Sequence, residues 1–334
     1  MKSFKIYSPA SIDEALKLLP HSRGPAAFNA ARLVAGGQDL LGEMKDHLVE
    51  PEALVNLTGI PGLDTIHCGS SLTLGALVRL VSLERHGELR AGWTAIAEAA
   101  ESVASPQIRS QATLGGNLCQ RPRCWYYRNE HAPCIKKGGH ECFAEAGQNK
   151  YNAIFGGGPS YIVHPSDLAP ALVCLDATVT IAGGRGRRDM LLEDFFTLPN
   201  EGSVERENVL KADEAVVGVS VPRLPSPWRS CYLKFRERGS FDFALASVAV
   251  ALAVEGGAVE GGEIKAAKIV LGGVAPIPWR CTKAENYLVG KPHEPATWRR
   301  AAELAVEGAE PLEHNGYKVR LANGLCQKAL RHLA

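Results

Sequence analysis

The stretch 119–160 carries four cysteines but shows no sustained helical or strand period. Pro122, Pro133 and a glycine- and proline-rich run at 156–159 interrupt regular structure along it. A loop of this length is uncommon inside a compact domain unless something functional holds it. The stretch therefore limits the fold to one in which a long irregular segment has a function of its own.

Four cysteines of this stretch are candidate metal ligands: Cys119, Cys124, Cys134 and Cys142. A disulfide framework is disfavoured, because the chain is long and shows no secretion signal. The spacing lacks the paired CxxC clamps that indicate zinc, whereas separated thiolates suit an iron–sulfur cluster. Zinc bound with His131 or His140, and thiols that bind nothing, are the alternatives. The other cysteines are expected to be small buried hydrophobes: Cys68, Cys174, Cys231, Cys281 and Cys326.

Composition narrows the range of partners. With 334 residues, of which 46% are hydrophobic, the chain is long enough for two or three compact units. Lys and Arg number 37 against 36 Asp and Glu, so no large basic surface for nucleic acid is expected. Apolar runs such as 244–254 are far shorter than the roughly 20 residues that cross a bilayer. We expect a cytoplasmic protein without membrane insertion; co-export to the periplasm with a partner is the alternative.

The pattern along the chain predicts strands that alternate with helices. Ser11 and Glu14 form a capping-box pattern ahead of a helix that ends at Pro20. A strand at 32–35 leads through glycines into a helix at 40–48. The Pro-rich segment 222–227 is the best candidate for a domain boundary. The other predicted elements are strands at 53–57, 72–76, 215–221, 230–235, 244–254 and 266–271, helices at 78–84, 94–104, 297–307 and 325–333, and a helix followed by a strand within 168–181.

Two glycine loops that follow apolar segments are suited to holding phosphate, one at 35–41 and one at 113–118. Glycine lets the backbone approach an anion closely, and successive N–H groups can point at it. Neither loop matches the GxGxxG or GxxxxGK[ST] motif, and a Gly-Gly pair is most often an ordinary turn. The pair is more informative than either loop, because a dinucleotide pyrophosphate needs donors from two sides.

Four segments, taken in their order along the chain, are more specific than any one of them: VAGGQDLL at 34–41, IRSQATLGGNL at 108–118, SDLAPAL at 166–172 and LGGVAPIPWR at 271–280. Together they resemble the FAD-binding medium subunits of the xanthine dehydrogenase or molybdenum hydroxylase family, over essentially the whole chain. The resemblance implies an α+β protein. It would have a PCMH-type, vanillyl-alcohol oxidase-like FAD-binding domain of two subdomains at 1–225. A C-terminal α/β domain like that of the CO dehydrogenase flavoprotein would occupy 228–334.

The resemblance also implies which residues bind FAD. Asp167 corresponds to an acidic residue near FAD, and Leu210 and Lys234 correspond more weakly to residues near the isoalloxazine ring. Without FAD, Asp167 would be a helix cap and Lys234 a solvated charge on a strand. The pyrophosphate would lie against the backbone of the two glycine loops: Ala35, Gly36, Gly37, Gln38, Asp39, Leu40, Leu41, Thr113, Gly115, Gly116 and Asn117.

The insertion at 119–160 is similar to one in the flavin subunits of 4-hydroxybenzoyl-CoA reductase and of bacterial aldehyde oxidoreductases with an additional [4Fe-4S] cluster. By that resemblance Cys124, Cys134 and Cys142 are three of the four ligands. The fourth cysteine position, four residues before His164, is Ser160 in this chain. Three outcomes are open. Cys119 replaces the missing ligand, which we rank first, or Ser160 coordinates through oxygen, or the cluster is labile or absent.

The resemblance implies an oxidoreductase subunit that carries electrons and does not itself transform the substrate. Substrate chemistry would belong to a molybdopterin-binding large subunit, and a small [2Fe-2S] subunit would relay electrons to FAD. The assembly implied is a dimer of heterotrimers. No catalytic base is expected, because the chain shows neither a Ser/His/Asp nor a paired-carboxylate pattern. A non-enzymatic metal-binding scaffold and a standalone flavin oxidase are the competing hypotheses.

Overall fold

The computed structural model describes residues 1–20, 30–256 and 261–334, and the fold is α+β as predicted. A small parallel sheet begins the chain, with strands in the order β1-β3-β2: β1 (Lys5–Tyr7), β2 (Ala31–Val34) and β3 (Ala53–Asn56). The helices Ile12–Lys17 and Leu40–Lys45 accompany it. Ser11 caps the first helix as predicted, since its hydroxyl accepts the N–H of Glu14 at 3.2 Å.

A five-stranded antiparallel sheet follows, in the order β4-β5-β8-β6-β7. Leu72 and Leu74 alternate along β5 and, like Val219 and Val221 of β8, face one large core. The strands are β4 (Ile66–Cys68), β5 (Ser71–Gly75), β6 (Thr178–Gly183), β7 (Gly186–Leu191) and β8 (Ala215–Pro222). The associated helices are Leu80–Arg85, Gly87–Gly92, Thr94–Ser102, Pro106–Arg109, Leu114–Leu118 and Leu168–Cys174.

The third sheet joins the two halves of the molecule through one strand that is buried along its length. In β10, Val248 and Val250 pack into a core with the C-terminal helices, whereas Ala249 and Ala251 face the large core of the preceding sheet. The antiparallel order is β12-β11-β10-β9, with β9 (Trp228–Phe235), β10 (Ala246–Val254), β11 (Ile264–Gly272) and β12 (Trp279–Arg280). The helices are Thr282–Leu288, Pro295–Ala305 and Tyr317–His332.

The stretch 119–160 is irregular as predicted, with turns and one 3-10 helix at Ile135–Lys137. It is nevertheless well packed, since Tyr127, Cys134 and Ala144 are buried in it. In the part of the chain that the structure describes, no helix is both long enough and apolar enough to cross a membrane.

Candidate functional site

A cavity of about 860 Å³ lies between the two glycine loops and is closed by the segment 205–216 and by 241–243. A volume of this size falls in the range of small-molecule and cofactor sites. Two of the residues predicted to bind FAD, Leu41 and Lys234, do not line the cavity. The predicted residues that do line it are Ala35, Gly36, Gly37, Gln38, Asp39, Leu40, Thr113, Gly115, Gly116, Asn117, Cys119, Asp167 and Leu210.

The first glycine loop presents a row of free amides to the cavity. Within the described residues, the backbone N–H groups of 36–40 donate to no other protein group. Gly37 has a φ of 70°, a left-handed conformation that glycine adopts without strain. Successive amides in such a turn form a concave site for an anion. The loop therefore fits a phosphate group, as the sequence predicts.

The second glycine loop is built differently, because its amides are already used. The N–H of Leu114 donates to Val78 O, that of Gly115 to Ala76 O, and that of Gly116 to the Thr113 hydroxyl at 3.3 Å. This loop forms a wall of the cavity and supports its neighbour, whereas the free donors belong to the first loop.

Gly36 sets the spacing between the two loops. A Cβ atom at this position would lie 2.0 Å from the carbonyl oxygen of Gln111, in the backbone just before the second loop. Because real Cβ atoms do not come so close to backbone, any larger residue would push the loops apart. Glycine is required here for close approach of two chain segments.

Asp167 is a buried carboxylate on the cavity wall, and two side chains of strand β9 bind its oxygens. Lys234 Nζ lies 2.7 Å from one carboxylate oxygen, and the Tyr232 hydroxyl donates to the other at 2.7 Å. Lys234 also donates to Ser102 O at 3.1 Å. Burial, together with the Asp167 charge, holds the pKa of Tyr232 well above its usual range, so it donates as a neutral phenol. Lys234 thus orients Asp167 and is not a solvated charge on a strand.

The segment that leads into Asp167 is tied to the second glycine loop. The Ser166 hydroxyl contacts Asn117 Oδ1 at 2.5 Å. His164 accepts the N–H of Ser166 at Nδ1, at 3.4 Å, and its ring packs edge-on against Phe196. Burial lowers the pKa of His164 to about 4, so the ring is neutral at physiological pH. These contacts fix the position of Asp167 relative to the loop.

A charged wall that the sequence analysis missed joins the first glycine loop to the cysteine stretch. Asp39 accepts the backbone N–H of Arg121 at 2.6 Å and contacts the guanidinium groups of Arg123 and Arg128 at 2.8 and 2.7 Å. The Tyr127 hydroxyl donates to Glu43. The arginines that flank Cys124 were a signal in the sequence, but nothing local identifies Asp39 as their partner.

A second buried charge cluster lies beside it. Glu207, only 3% exposed, contacts Lys136 Nζ at 2.8 Å and Arg121 Nε at 3.0 Å. Burial opposes the charge on Arg121, but Glu207 together with Tyr127, Glu43 and Asp39 outweighs the effect of burial, so the pKa of Arg121 is raised. Burial instead lowers the pKa of Lys136, which also donates to two backbone carbonyls, Val204 O and Arg206 O. The cysteine stretch is thereby fixed to the segment 204–207 that closes the cavity.

Three of the four candidate cysteines, Cys124, Cys134 and Cys142, lie close enough to affect one another electrostatically. Burial raises the pKa values of Cys134 and Cys142, and in both cases the Cys124 thiol adds to the effect. Asn152 Nδ2 donates to Cys124 Sγ at 3.7 Å. The backbone N–H groups of 144, 145 and 161 donate to Cys142 Sγ, and that of Lys136 to Cys134 Sγ. Sulfurs surrounded by backbone donors are typical of iron–sulfur ligands.

Cys119 lies apart from these thiols. It lines the flavin-sized cavity, and burial raises its pKa to about 12, with Glu207 adding to the effect. The side chain of His131, considered as a zinc ligand, is 86% exposed and contacts Glu130. No group of three or more His, Cys, Asp and Glu side chains among the described residues could hold a single metal ion.

The far end of the cysteine stretch is held by the C-terminal part of the chain. Lys318 Nζ donates to Tyr151 O and Gly273 O, both at 2.8 Å. Asn315 donates to the carbonyls of Asn152 and Ala153 at 3.2 and 3.1 Å. The stretch therefore spans from the first glycine loop to the last helix.

Comparisons with known proteins agree with the fold. A family model described as the FAD binding domain in molybdopterin dehydrogenase matches residues 2–224. A second, the CO dehydrogenase flavoprotein C-terminal domain, matches residues 230–333. The chain is 36% identical over 297 residues to the aldehyde oxidoreductase FAD-binding subunit PaoB of Escherichia coli K12, covering 87% of this chain and 88% of that protein.

Other relatives extend the likeness. The nicotinate dehydrogenase FAD-subunit of Eubacterium barkeri is 28% identical over 294 residues, with 87% of this chain and 81% of that protein covered. The structure of carbon monoxide dehydrogenase from Hydrogenophaga pseudoflava superposes with a TM-score of 0.75 at 26% identity, covering 99% of this chain and 97% of that one. The chain therefore belongs to the FAD-binding medium subunits of the molybdenum hydroxylase family, oxidoreductase subunits that transfer electrons through FAD.

Proposed function

We propose that this chain binds FAD in the cavity between its glycine loops and carries electrons within a molybdopterin dehydrogenase complex. We further propose that an iron–sulfur cluster at Cys124, Cys134 and Cys142 belongs to its electron path. The observation that carries the FAD assignment is the row of free amides at 36–40 on the cavity wall. An unpartnered N–H is costly to bury, so these groups need an anionic ligand or water.

The residues of the chain bind and orient the cofactor. Bound FAD supplies the redox chemistry, exchanging electrons singly with iron–sulfur centres and in pairs with another donor or acceptor. The amides of 36–40 would hold its pyrophosphate. Asp167, held in place by Lys234 and Tyr232, would accept a hydrogen bond from the cofactor, and Leu210 would shield the cofactor from water.

Three contacts support the cluster. The thiols of Cys124, Cys134 and Cys142 share one electrostatic environment, and backbone donors converge on two of them. Asn152 donates to the third. Hydrogen bonds to sulfur tune the potential of such centres and orient their ligands. The anchoring of the stretch at both ends by buried charges supplies the rigidity that a cluster loop needs.

We propose a molybdopterin-binding large subunit and a small [2Fe-2S] subunit as partners, in a dimer of heterotrimers located in the cytoplasm. We place the domain boundary between 225 and 228, beside the Pro-rich segment. The names of the relatives support the partners: one is a FAD-binding subunit, another a FAD-subunit, and a third the medium chain of carbon monoxide dehydrogenase.

The flavin assignment is tested by the FAD content of the purified complex and of two glycine variants. Gly36→Val should lose nearly all FAD, because its side chain cannot fit beside Gln111 O. Gly42→Ala is the matched control: it lies in the adjoining helix, where a Cβ meets no atom within 4 Å. Thermal unfolding reports whether each variant folds, and Gly36→Ala provides a milder change. Full flavin content in folded Gly36→Val would refute the pyrophosphate assignment.

The same preparations separate the competing functions. A scaffold without flavin predicts a colourless protein whose complex still assembles. A standalone flavin oxidase predicts turnover by this chain without partners. An electron-transfer subunit predicts bound FAD that is reduced by substrate only when the other subunits are present.

A further inference from the structure

We infer that the guanidinium group of Arg32 binds the pyrophosphate of FAD, together with the free amides of the first glycine loop. The inference rests on the proposed FAD site and names a residue that the sequence analysis did not select. It supplies the second set of donors that a pyrophosphate in this cavity needs.

Arg32 lies on strand β2, just ahead of the first glycine loop. Its neighbours Ala31, Leu33 and Ala35 pack into the apolar core of the first sheet. Because successive side chains of a strand point to opposite faces, Arg32 lies on the other face, where it lines the cavity. The strand runs directly into the free amides of 36–40, so the cation and the amides belong to one continuous segment.

The Arg32 guanidinium has no hydrogen bond and no ion pair with any residue that the structure describes. The two carboxylates whose charges favour its protonated form are bound to other donors. Glu43 accepts the Tyr127 hydroxyl. Asp39 accepts the backbone N–H of Arg121 and contacts two further guanidinium groups of the cysteine stretch. Neither carboxylate therefore serves as the counterion of Arg32.

Like charges act on Arg32 from the same cavity wall. Burial lowers the pKa of Arg32, and the charge of Arg121 adds to this effect against the opposing charge of Glu43. Burial also lowers the pKa of Arg206, with contributions from Arg121 and Arg32. All three arginines line the cavity. A guanidinium keeps its proton in proteins, so an anion in the cavity, and not deprotonation, would relieve the unfavourable charge.

The other cations of the cavity wall are already used. In the described part of that wall, each of them binds a carboxylate or a backbone carbonyl: Arg121, Arg123, Lys136, Lys137, Arg206 and Lys211. The amides of the second glycine loop are used as well, because those of 114–116 donate within the protein. Arg32 is thus the cationic donor that the protein leaves for a ligand.

The chemistry of the guanidinium matches a phosphate group. Its N–H donors form a planar fork that can contact two phosphate oxygens at once, and its charge strengthens both hydrogen bonds. The amides of 36–40 are directional but carry no net charge. Arg32 would therefore add affinity for the phosphates of FAD and none for its isoalloxazine ring.

The test uses the full-length chain freed of flavin, as wild type, Arg32→Met, Arg32→Lys and Arg299→Met. Arg299 provides the matched control, because it is exposed on the helix Pro295–Ala305 of the C-terminal part. The measurements are FAD affinity by fluorescence titration, and thermal unfolding with and without inorganic pyrophosphate.

We expect Arg32→Met to bind FAD at least about tenfold more weakly, since it loses charge-assisted hydrogen bonds. Arg32→Lys should lie between it and wild type, because lysine keeps the charge but not the fork. Inorganic pyrophosphate should raise the melting temperature of wild type more than that of Arg32→Met. Without ligand, Arg32→Met should melt no lower than wild type, because the cation has no partner among the described residues. Arg299→Met should match wild type throughout.

A merely structural role for Arg32 predicts the opposite order. Ligand-free Arg32→Met would then melt below wild type and bind FAD with unchanged affinity, and this result would overturn the inference. Equal stabilisation of the two proteins by inorganic pyrophosphate would also overturn it. If wild type itself binds no FAD, the proposed function is wrong, which separates the two failures.

Discussion

At the scale of single residues, the charge of the cavity wall depends on one buried ion pair. The side chains of Lys234 and Asp167 are 3% and 5% exposed and lie 2.7 Å apart. Burying two charges is costly, and their attraction with added hydrogen bonds offsets that cost. Removing one partner leaves the other charge uncompensated, so the pair stabilises the wall only as a unit.

Replacing Lys234 with methionine should therefore lower the free energy of unfolding by about 3–5 kcal/mol and reduce FAD affinity. The measurements are denaturant unfolding and flavin titration of the apoprotein. Lys283→Met is the matched control, since Lys283 and Glu307 pair on the surface with side chains 69% and 52% exposed. We expect a much smaller loss there, because solvent screens an exposed pair. Equal losses in the two variants would contradict a special role for the buried pair.

At the scale of elements, Asp39 couples the first glycine loop to the cysteine stretch. It ends the loop, precedes the helix Leu40–Lys45 and receives donors from Arg121, Arg123 and Arg128. One carboxylate thus positions both the segment assigned to phosphate and the segment that carries the thiols. Charge-assisted hydrogen bonds of this kind are the stronger ones.

Asp39→Asn should loosen both segments, because the amide lacks the charge that holds the two guanidinium groups. We expect at least about tenfold faster FAD release, equivalent to about 1.4 kcal/mol, and faster protease cleavage within 119–160. Stopped-flow release of flavin fluorescence and limited proteolysis measure these effects. Asp46→Asn, an exposed aspartate at the other end of the same helix, is the control. Faster flavin release without faster cleavage would show that the two segments are not coupled.

The sequence predicted elements where the local pattern was strong. The strands at 215–221 and 266–271 and the helix after Ser11 are confirmed, because alternation and capping are local signals. The helix predicted to run to Leu48 ends at Lys45, since His47 has a φ of 54°. The last helix begins at Tyr317 and not at the predicted Leu325. Its first turn buries a lysine, Lys318, so the buried face of this turn is not apolar in the sequence.

Other features had no local signal. Strand β7 is exposed and charged, so its pattern did not resemble a strand. The pairing of Lys136 with Glu207 joins residues far apart in the chain, and only the fold brings them together. The motif-bearing loops were predictable as a cavity lining, whereas the division of free and used amides between them was not.

At the scale of the whole molecule, Lys318 joins three regions. Its ammonium group, on the last helix, bonds to Tyr151 in the cysteine stretch and to Gly273 after β11, with no carboxylate among its contacts in the described structure. Burial lowers the pKa of Lys318 to about 7. A lysine with a depressed pKa makes folding stability depend on pH.

The sign follows from proton binding. Between pH 7 and about 10.4 the unfolded chain keeps the proton on this lysine and the folded chain does not. Stability from this group is thus present above pH 10.4 and is lost as the pH falls to 7, by up to about 1.4 kcal/mol per unit. Subtracting the unfolding free energy of Lys318→Met from that of wild type should give this slope. Lys328→Met, which changes an exposed lysine on the same helix, is the control. A flat difference for Lys318 would contradict the prediction.

Because the cavity is lined by segments far apart in the chain, it can form only late in synthesis. Its lining begins at Leu19, passes through Asp167 and ends at Phe243, with most of the polypeptide between them. A ribosome makes the amides of 36–40 early and the closing segments 205–216 and 241–243 late. A nascent chain that has reached only the second glycine loop lacks half of the enclosure. FAD capture is therefore an event of late or completed synthesis, and its supply matters most after the third sheet has begun to form.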